Sequence, residues 1–158
     1  MRLKSALRRG VAAAVIAGIV VSSGIPAYAK TWDIADGDIT VKGASDESGN
    51  YNNVKQGEKD FEKDEGETVI TGESDKNTVT IDTSEGNVDV TFDDLKIDAS
   101  SGNEAAVSVT GKGDTNIELD GDNKLQSGSG HAGLEHNKTD TSGELTIQDN
   151  DKNGSLKA

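Results

Sequence analysis

The 158-residue sequence contains no cysteine, which excludes disulfides and thiolate metal sites. Arginine is absent beyond Arg9 and proline beyond Pro26. The aromatic residues beyond residue 29 are Trp32, Tyr51, Phe61 and Phe92. A globular sandwich of this length would place more large side chains in its core. Residues 1–29 hold no acid, and their bases are Arg2, Lys4, Arg8 and Arg9. All 29 acidic residues therefore face 12 lysines, and the whole-chain charge of −13 sharpens to −17 beyond residue 29. Duplex DNA and anionic membrane would both repel a polyanion of that density, so neither is expected as a partner.

What is present begins with an address. Four positive charges lie within Met1–Gly10, an apolar run covers Val11–Val21, and Ala27-Tyr28-Ala29 has the small-x-small form of a cleavage site. Together these read as a secretory signal peptide over residues 1–29. The apolar run is well short of the roughly 20 residues of a membrane-spanning helix. No cysteine follows it, so no lipoprotein anchor is expected. The mature chain is expected to start at Lys30 and to work outside the cell, free or associated with the cell surface.

From Lys30 onward the apolar residues alternate with polar ones at strand spacing. Ile39-Thr-Val41, Val79-Thr-Ile81, Val88-Asp-Val90-Thr-Phe92, Val107-Ser-Val109, Ile117-Glu-Leu119 and Leu145-Thr-Ile147 are the clearest cases. Gly, Asn, Asp and Ser clusters separate them, and no 3.6-residue apolar stripe appears. A shift of 27 residues lays 90–107 over 117–134 without a gap, with Val90 on Ile117, Phe92 on Leu119, Asp93 on Asp120 and Val107 on Leu134. A third, imperfect copy begins at Leu145. A repeat of this length in an all-β chain predicts a parallel β-helix, a solenoid of about five rungs over residues 30–158, each burying its inward side chains against the next. Asp46–Glu67 breaks the alternation and reads as a long loop or a cap over the first rung. Trp32 and Phe61 are its expected cap residues, with sugar stacking as the alternative role.

Thr91–Asp98, Ala105–Val109, Asn116–Leu125, Ala132-Gly-Leu134 and Gly143–Ile147, with the opening Asp36-Gly-Asp-Ile-Thr-Val41, form an ordered set of motifs. In that order the chain resembles the secreted bacterial carbohydrate-binding domain-containing proteins, right-handed parallel β-helices of clostridia and relatives. The resemblance implies calcium-assisted binding of acidic polysaccharide of the pectic type. The sequence stops at Gly154-Ser-Leu-Lys-Ala158, inside an expected strand, where members of that family usually continue; this reads as a truncation.

The acids suggest where calcium would sit, because that ion takes six to eight oxygen ligands. Asp93, Asp120 and Asp122 lie at predicted turns, and the repeat stacks Asp93 on Asp120 one rung apart. Carboxylates stacked so closely repel unless a cation lies between them or they splay into water. Asp149-x-Asp151-x-Asn153-Gly154-x-Leu156 matches the first part of an EF-hand loop, and it also reads as a polar turn between two strands. Lys96 and Lys124, beside the acids, are candidates for contact with an anionic glycan, with Trp32 as a third contact. In the ungapped repeat the two lysines stand one position out of register. His131 and His136 read as surface turn residues.

Three function classes remain. A calcium-assisted, non-catalytic carbohydrate-binding protein fits best. A structural or adhesive cell-surface rod without a specific ligand is the alternative. A polysaccharide lyase would use an arginine or lysine base, and the mature chain has no arginine. A glycosidase would need an aromatic-lined cleft that four aromatics hardly supply.

Overall fold

The computed structural model describes residues 29–137, 139 and 141–158, so the leader assigned to residues 1–29 lies outside them save for Ala29. The described chain is all-β. Its strands are β1 (Lys30–Asp33), β2 (Ile39–Asp46), β3 (Gly49–Gln56), β4 (Glu62–Asp64), β5 (Thr68–Ser74), β6 (Val79–Thr83), β7 (Val88–Asp98), β8 (Val107–Gly111), β9 (Thr115–Gln126), β10 (Leu134–His136), β11 (Leu145–Gln148) and β12 (Gly154–Lys157). One short 3-10 turn, Ile34–Asp36, follows β1. No helix among the described residues is long and apolar enough to cross a membrane.

The strands form two sheets. The first runs β1-β5-β7-β9-β11, with β12 also paired to β9; the second runs β10-β8-β6-β2-β3-β4. All pairs of the first sheet are parallel, as are those from β2 through β6 and β8 to β10. Only β2–β3 and β3–β4 are antiparallel.

Period-2 alternation turns alternate side chains to one face, and parallel pairing stacks like on like. Trp32, Ile70, Phe92 and Leu119 are register partners on four neighbouring strands. All four are buried. Across the core, Ile39, Val79 and Val107 stack in the same way, with Leu134 at the end of the row. Small aliphatic side chains thus fill a narrow interior in which Trp32 and Phe92 are the only aromatics among the described residues.

The repeat is less regular than the ungapped alignment. An offset of 27 residues holds from Val88↔Thr115 to Asp93↔Asp120, and again at Val107↔Leu134. Between them the register slips, and Lys96 pairs with Lys124. Leu145 pairs with Thr115, an offset of 30. The cause of the slip is a corner. Asp94-Leu95 on β7 faces Gly121-Asp122-Asn123 on β9, and Gly72 alone occupies the place on β5. Gly72, Asp94 and Gly121 all have positive φ, at 90°, 51° and 62°. A left-handed residue bends the strand and absorbs an extra position, which is the effect of a bulge. Asn123 secures this corner from inside. Its Oδ1 accepts from the Leu95 amide at 2.9 Å, and its Nδ2 donates to the carbonyls of Asp120 at 2.9 Å and Ser155 at 3.1 Å.

Residues 46–67 are not a loop. A two-residue turn at Glu47-Ser48 joins β2 to β3, and β4 then pairs with β3 at the sheet edge. Alternation exists in β3, where Asn52, Val54 and Gln56 are buried, but two of the three are polar. Hydrogen bonds repay their burial: Asn52 Nδ2 donates to Thr68 Oγ1 at 2.9 Å and to the Asp89 carbonyl at 2.8 Å, and Gln56 Nε2 donates to the Asp33 carbonyl. Hydrophobic periodicity does not register strands of this kind.

Trp32 lies beneath this hairpin, 4 % exposed, with its Nε1 donating to Asp64 Oδ2 at 3.0 Å. Its ring therefore cannot stack on a sugar, which corrects that expectation. Phe61 does not pack over the core; it is 42 % exposed, with the Lys42 ammonium 5.0 Å from its ring centre. Burial raises the pKa of Asp64, against the hydrogen bonds from Trp32 and Thr68. A carboxyl raised in the folded state favours folding most below its ordinary pKa, and that contribution fades as pH rises through the folded value. Asp64→Asn keeps an acceptor for Trp32 and removes the buried charge, so its stability at neutral pH should equal or exceed wild type. That advantage should vanish in acid. Asp64→Ala should instead lose about 1–3 kcal/mol by leaving the Trp32 N–H unpaired. Urea melts of the three proteins at neutral and acid pH check both signs.

Candidate cation-binding corner and lysine column

β9 carries the centre of the candidate site. Ile117 and Leu119 point into the core, so Glu118 and Asp120 share its outer face. The turn from β11 to β12 brings Asp149, Asp151 and Asn153 to the same place. Carboxylate oxygens of Glu118, Asp149 and Asp151 lie within 4.8 Å of one another. Asp93 stacks in register beside Asp120.

The hydrogen bonds define how these groups are held. Glu118 is buried, and its two oxygens accept from Asn150, one from the backbone amide at 2.6 Å and one from Nδ2 at 2.7 Å. The Asn153 amide donates to Asp149 Oδ1 at 3.1 Å and to Asp151 Oδ1 at 3.3 Å, while its Nδ2 donates to Asp151 Oδ2 at 2.8 Å. Lys152, with φ of 62°, makes the turn tight. Residues 149–153 thus form a polar turn between two strands, of the two forms open to that motif.

The electrostatics are those of unrelieved negative charge. The pKa of Asp120 is raised, first by burial and then by Asp151, Asp149 and Asp94, against a hydrogen bond from Asn153. That of Asp93 is raised by burial, then by Asp120 and Asp94. Glu67, on the first residues before β5, is raised by burial and by Asp120 and Glu118, although Thr91 Oγ1 donates to it. Its Oε2 is buried without a partner. A hard divalent cation would oppose each of these repulsions, and an all-oxygen donor set suits calcium.

Asp122 turns away from this group. Its Oδ1 accepts from Ser155 Oγ at 2.8 Å, and its amide donates to Asp94 Oδ1 at 2.9 Å. It lies on the side of Lys96, whose ammonium both Asp94 and Asp122 favour. Five of the six expected metal residues therefore meet at one corner, and Asp122 belongs to the neighbouring lysine side. Glu118 escaped the sequence reading, although the spacing Glu118-x-Asp120 on an alternating strand is a signal for it.

The lysines also differ from expectation. The corner shifts the register so that Lys96 and Lys124 are direct partners, and Lys157 on β12 pairs with Lys124. Lys96 and Lys124 line a groove of about 500 Å³ with Lys76, Glu73, Asp75, Asp98, Ser74 and Ile97. Lys96 Nζ lies 3.0 Å from Glu73 Oε1. His131 and His136 are apart in role: His131 Nδ1 lies 2.9 Å from Glu135 Oε2, on the surface, and His136 is in β10.

Comparison with family models, with curated proteins and with solved structures found no match to this chain.

Proposed function

We propose that the mature chain is a secreted, non-catalytic module that binds acidic polysaccharide of the pectic type with the help of calcium, on a short right-handed parallel β-helix. The fold reading is supported by the way the chain passes in turn between the two sheets from β5 to β10, with each strand from β7 onward pairing in parallel with the preceding strand of its own sheet. Crossovers joining parallel strands are right-handed in nearly all proteins. The observation that carries the function is the corner where Glu118, Asp149 and Asp151 converge beside Asp120. Glu118, Asp120, Asp149 and Asp151 would hold calcium, which would neutralise the corner and present a cation to glycan carboxylates. That bridge would offset the repulsion between a chain of this charge and an anionic ligand.

Calorimetry with residues 30–158 tests this reading. Calcium alone should bind and raise the melting temperature, and polygalacturonate should release or absorb more heat with calcium than in chelator. Glu118→Gln combined with Asp151→Asn should weaken calcium binding by at least about tenfold, since it removes two anionic ligands. No calcium binding by the wild-type chain would sink the proposal.

A further inference from the structure

Among the described residues, the lysine column is the one row where bases stack in register. Lys96, Lys124 and Lys157 occupy successive partner positions on β7, β9 and β12. All three are exposed, and their neighbours Ile97 and Leu125 point inward and are buried. Neighbouring parallel strands lie about 4.8 Å apart, so the backbone positions of the three lysines repeat at about that interval. Like charges set directly opposite destabilise a sheet. Lys96 is relieved by Glu73. Among the described residues, Lys124 and Lys157 form no ion pair. Lys76 lines the same groove as Lys96 and Lys124.

We propose that this column, with Lys76 in the groove beside it, is an anion subsite that takes successive carboxylates of a linear uronate chain lying across the strands, without calcium. The proposal deepens the acidic-glycan reading above and rests on it. The strand interval of about 4.8 Å is close to the length of one pyranose unit in a linear chain, so consecutive sugars meet consecutive lysines. The groove is not uniformly basic: Asp94 and Asp122 flank the column on one side, and Asp98, Asp75 and Glu73 stand near it on the other. A simple polyanion gains little from such alternation. A uronate suits it, because its carboxylates accept from the ammonium groups while its hydroxyls donate to the acids.

The test uses ¹⁵N-labelled residues 30–158 in chelator, titrated with a galacturonate oligomer long enough to span the three lysines. The side-chain resonances of Lys96, Lys124 and Lys157 should shift together, and a neutral oligosaccharide of equal length should leave them unmoved. The triple substitution Lys96→Gln, Lys124→Gln and Lys157→Gln should weaken binding about tenfold, equivalent to about 1.4 kcal/mol. These side chains are exposed, and the amide spectrum shows whether the fold is kept. Shifts confined to other lysines, equal binding by the triple variant, or binding that appears only with calcium would each overturn the column; the last would leave the calcium corner standing. Shifts at the column in a chain that binds no calcium would support the column and remove the corner.

Discussion

Phe92→Ala should lower the unfolding free energy of residues 30–158 by about 3–5 kcal/mol, the usual cost of deleting a fully buried phenylalanine. Phe92 is wholly buried and is stacked between Ile70 and Leu119 in the middle of the first sheet. Its strand, β7, pairs with β5 on one side and on the other forms with β9 the longest ladder among the described residues. The core is thin, and its remaining side chains are mostly Val, Ile and Ala, which cannot swing in to fill a ring-sized void. Domains of this size are stable by about 5–15 kcal/mol, so the loss is roughly a fifth or more of the total. Phe61→Ala is the control. Its ring is 42 % exposed and stands under the Lys42 ammonium, and its loss should cost about 0.5 kcal/mol or less. Urea midpoints of the two variants decide the matter: similar values would mean that the inward stack does not exist.

Gly43→Ala should cost about 3 kcal/mol, at the upper end for overpacking, with nothing gained from the added methyl. Gly43 is buried within β2. A Cβ there would lie 2.2 Å from the Gly86 carbonyl oxygen and 2.5 Å from that of Asn87. Both are backbone atoms, and they cannot yield as a flexible side chain would. The pattern continues along the molecule: a Cβ at Gly113 would meet the Gly86 oxygen at 2.8 Å, and one at Gly143 would meet the Gly113 oxygen at 2.0 Å. A column of glycines therefore lets successive turns close on one another where the chain passes from the second sheet back to the first. Gly49→Ala has open space around the new methyl, though its φ of 121° strains any side chain. Comparing the melting temperatures of Gly43→Ala and Gly49→Ala separates steric from conformational cost. A Gly43→Ala protein no less stable than Gly49→Ala would contradict the close approach.

Much of the fold was legible because its signal is local. Ile39–Val41, Val79–Ile81, Val88–Phe92, Val107–Val109, Ile117–Leu119 and Leu145–Ile147 all lie in strands with the alternation that marked them. The stacking of Asp93 on Asp120 followed from one repeat shift. The hairpin of β3 and β4 was not legible, since its inward positions include Asn52, Gln56 and Asp64, whose burial depends on partners far along the chain. Trp32 likewise looked available for a sugar until Asp64 was seen to hold it inside.

The sequence by itself determined the all-β class, most strand positions, the acidic character, the lack of arginine beyond Arg9 and the absence of thiol chemistry. Those properties depend on composition and on a two-residue period, and neither requires knowing what pairs with what. The tertiary structure decided which charges meet. One extra residue at the left-handed corner of Asp94 and Gly121 brings Lys96 onto Lys124, and the turn after β11 carries Asp149 and Asp151 to Glu118. A single-residue change in register moves every later side chain relative to the neighbouring strand, so charge partnership is a property of pairing rather than of pattern.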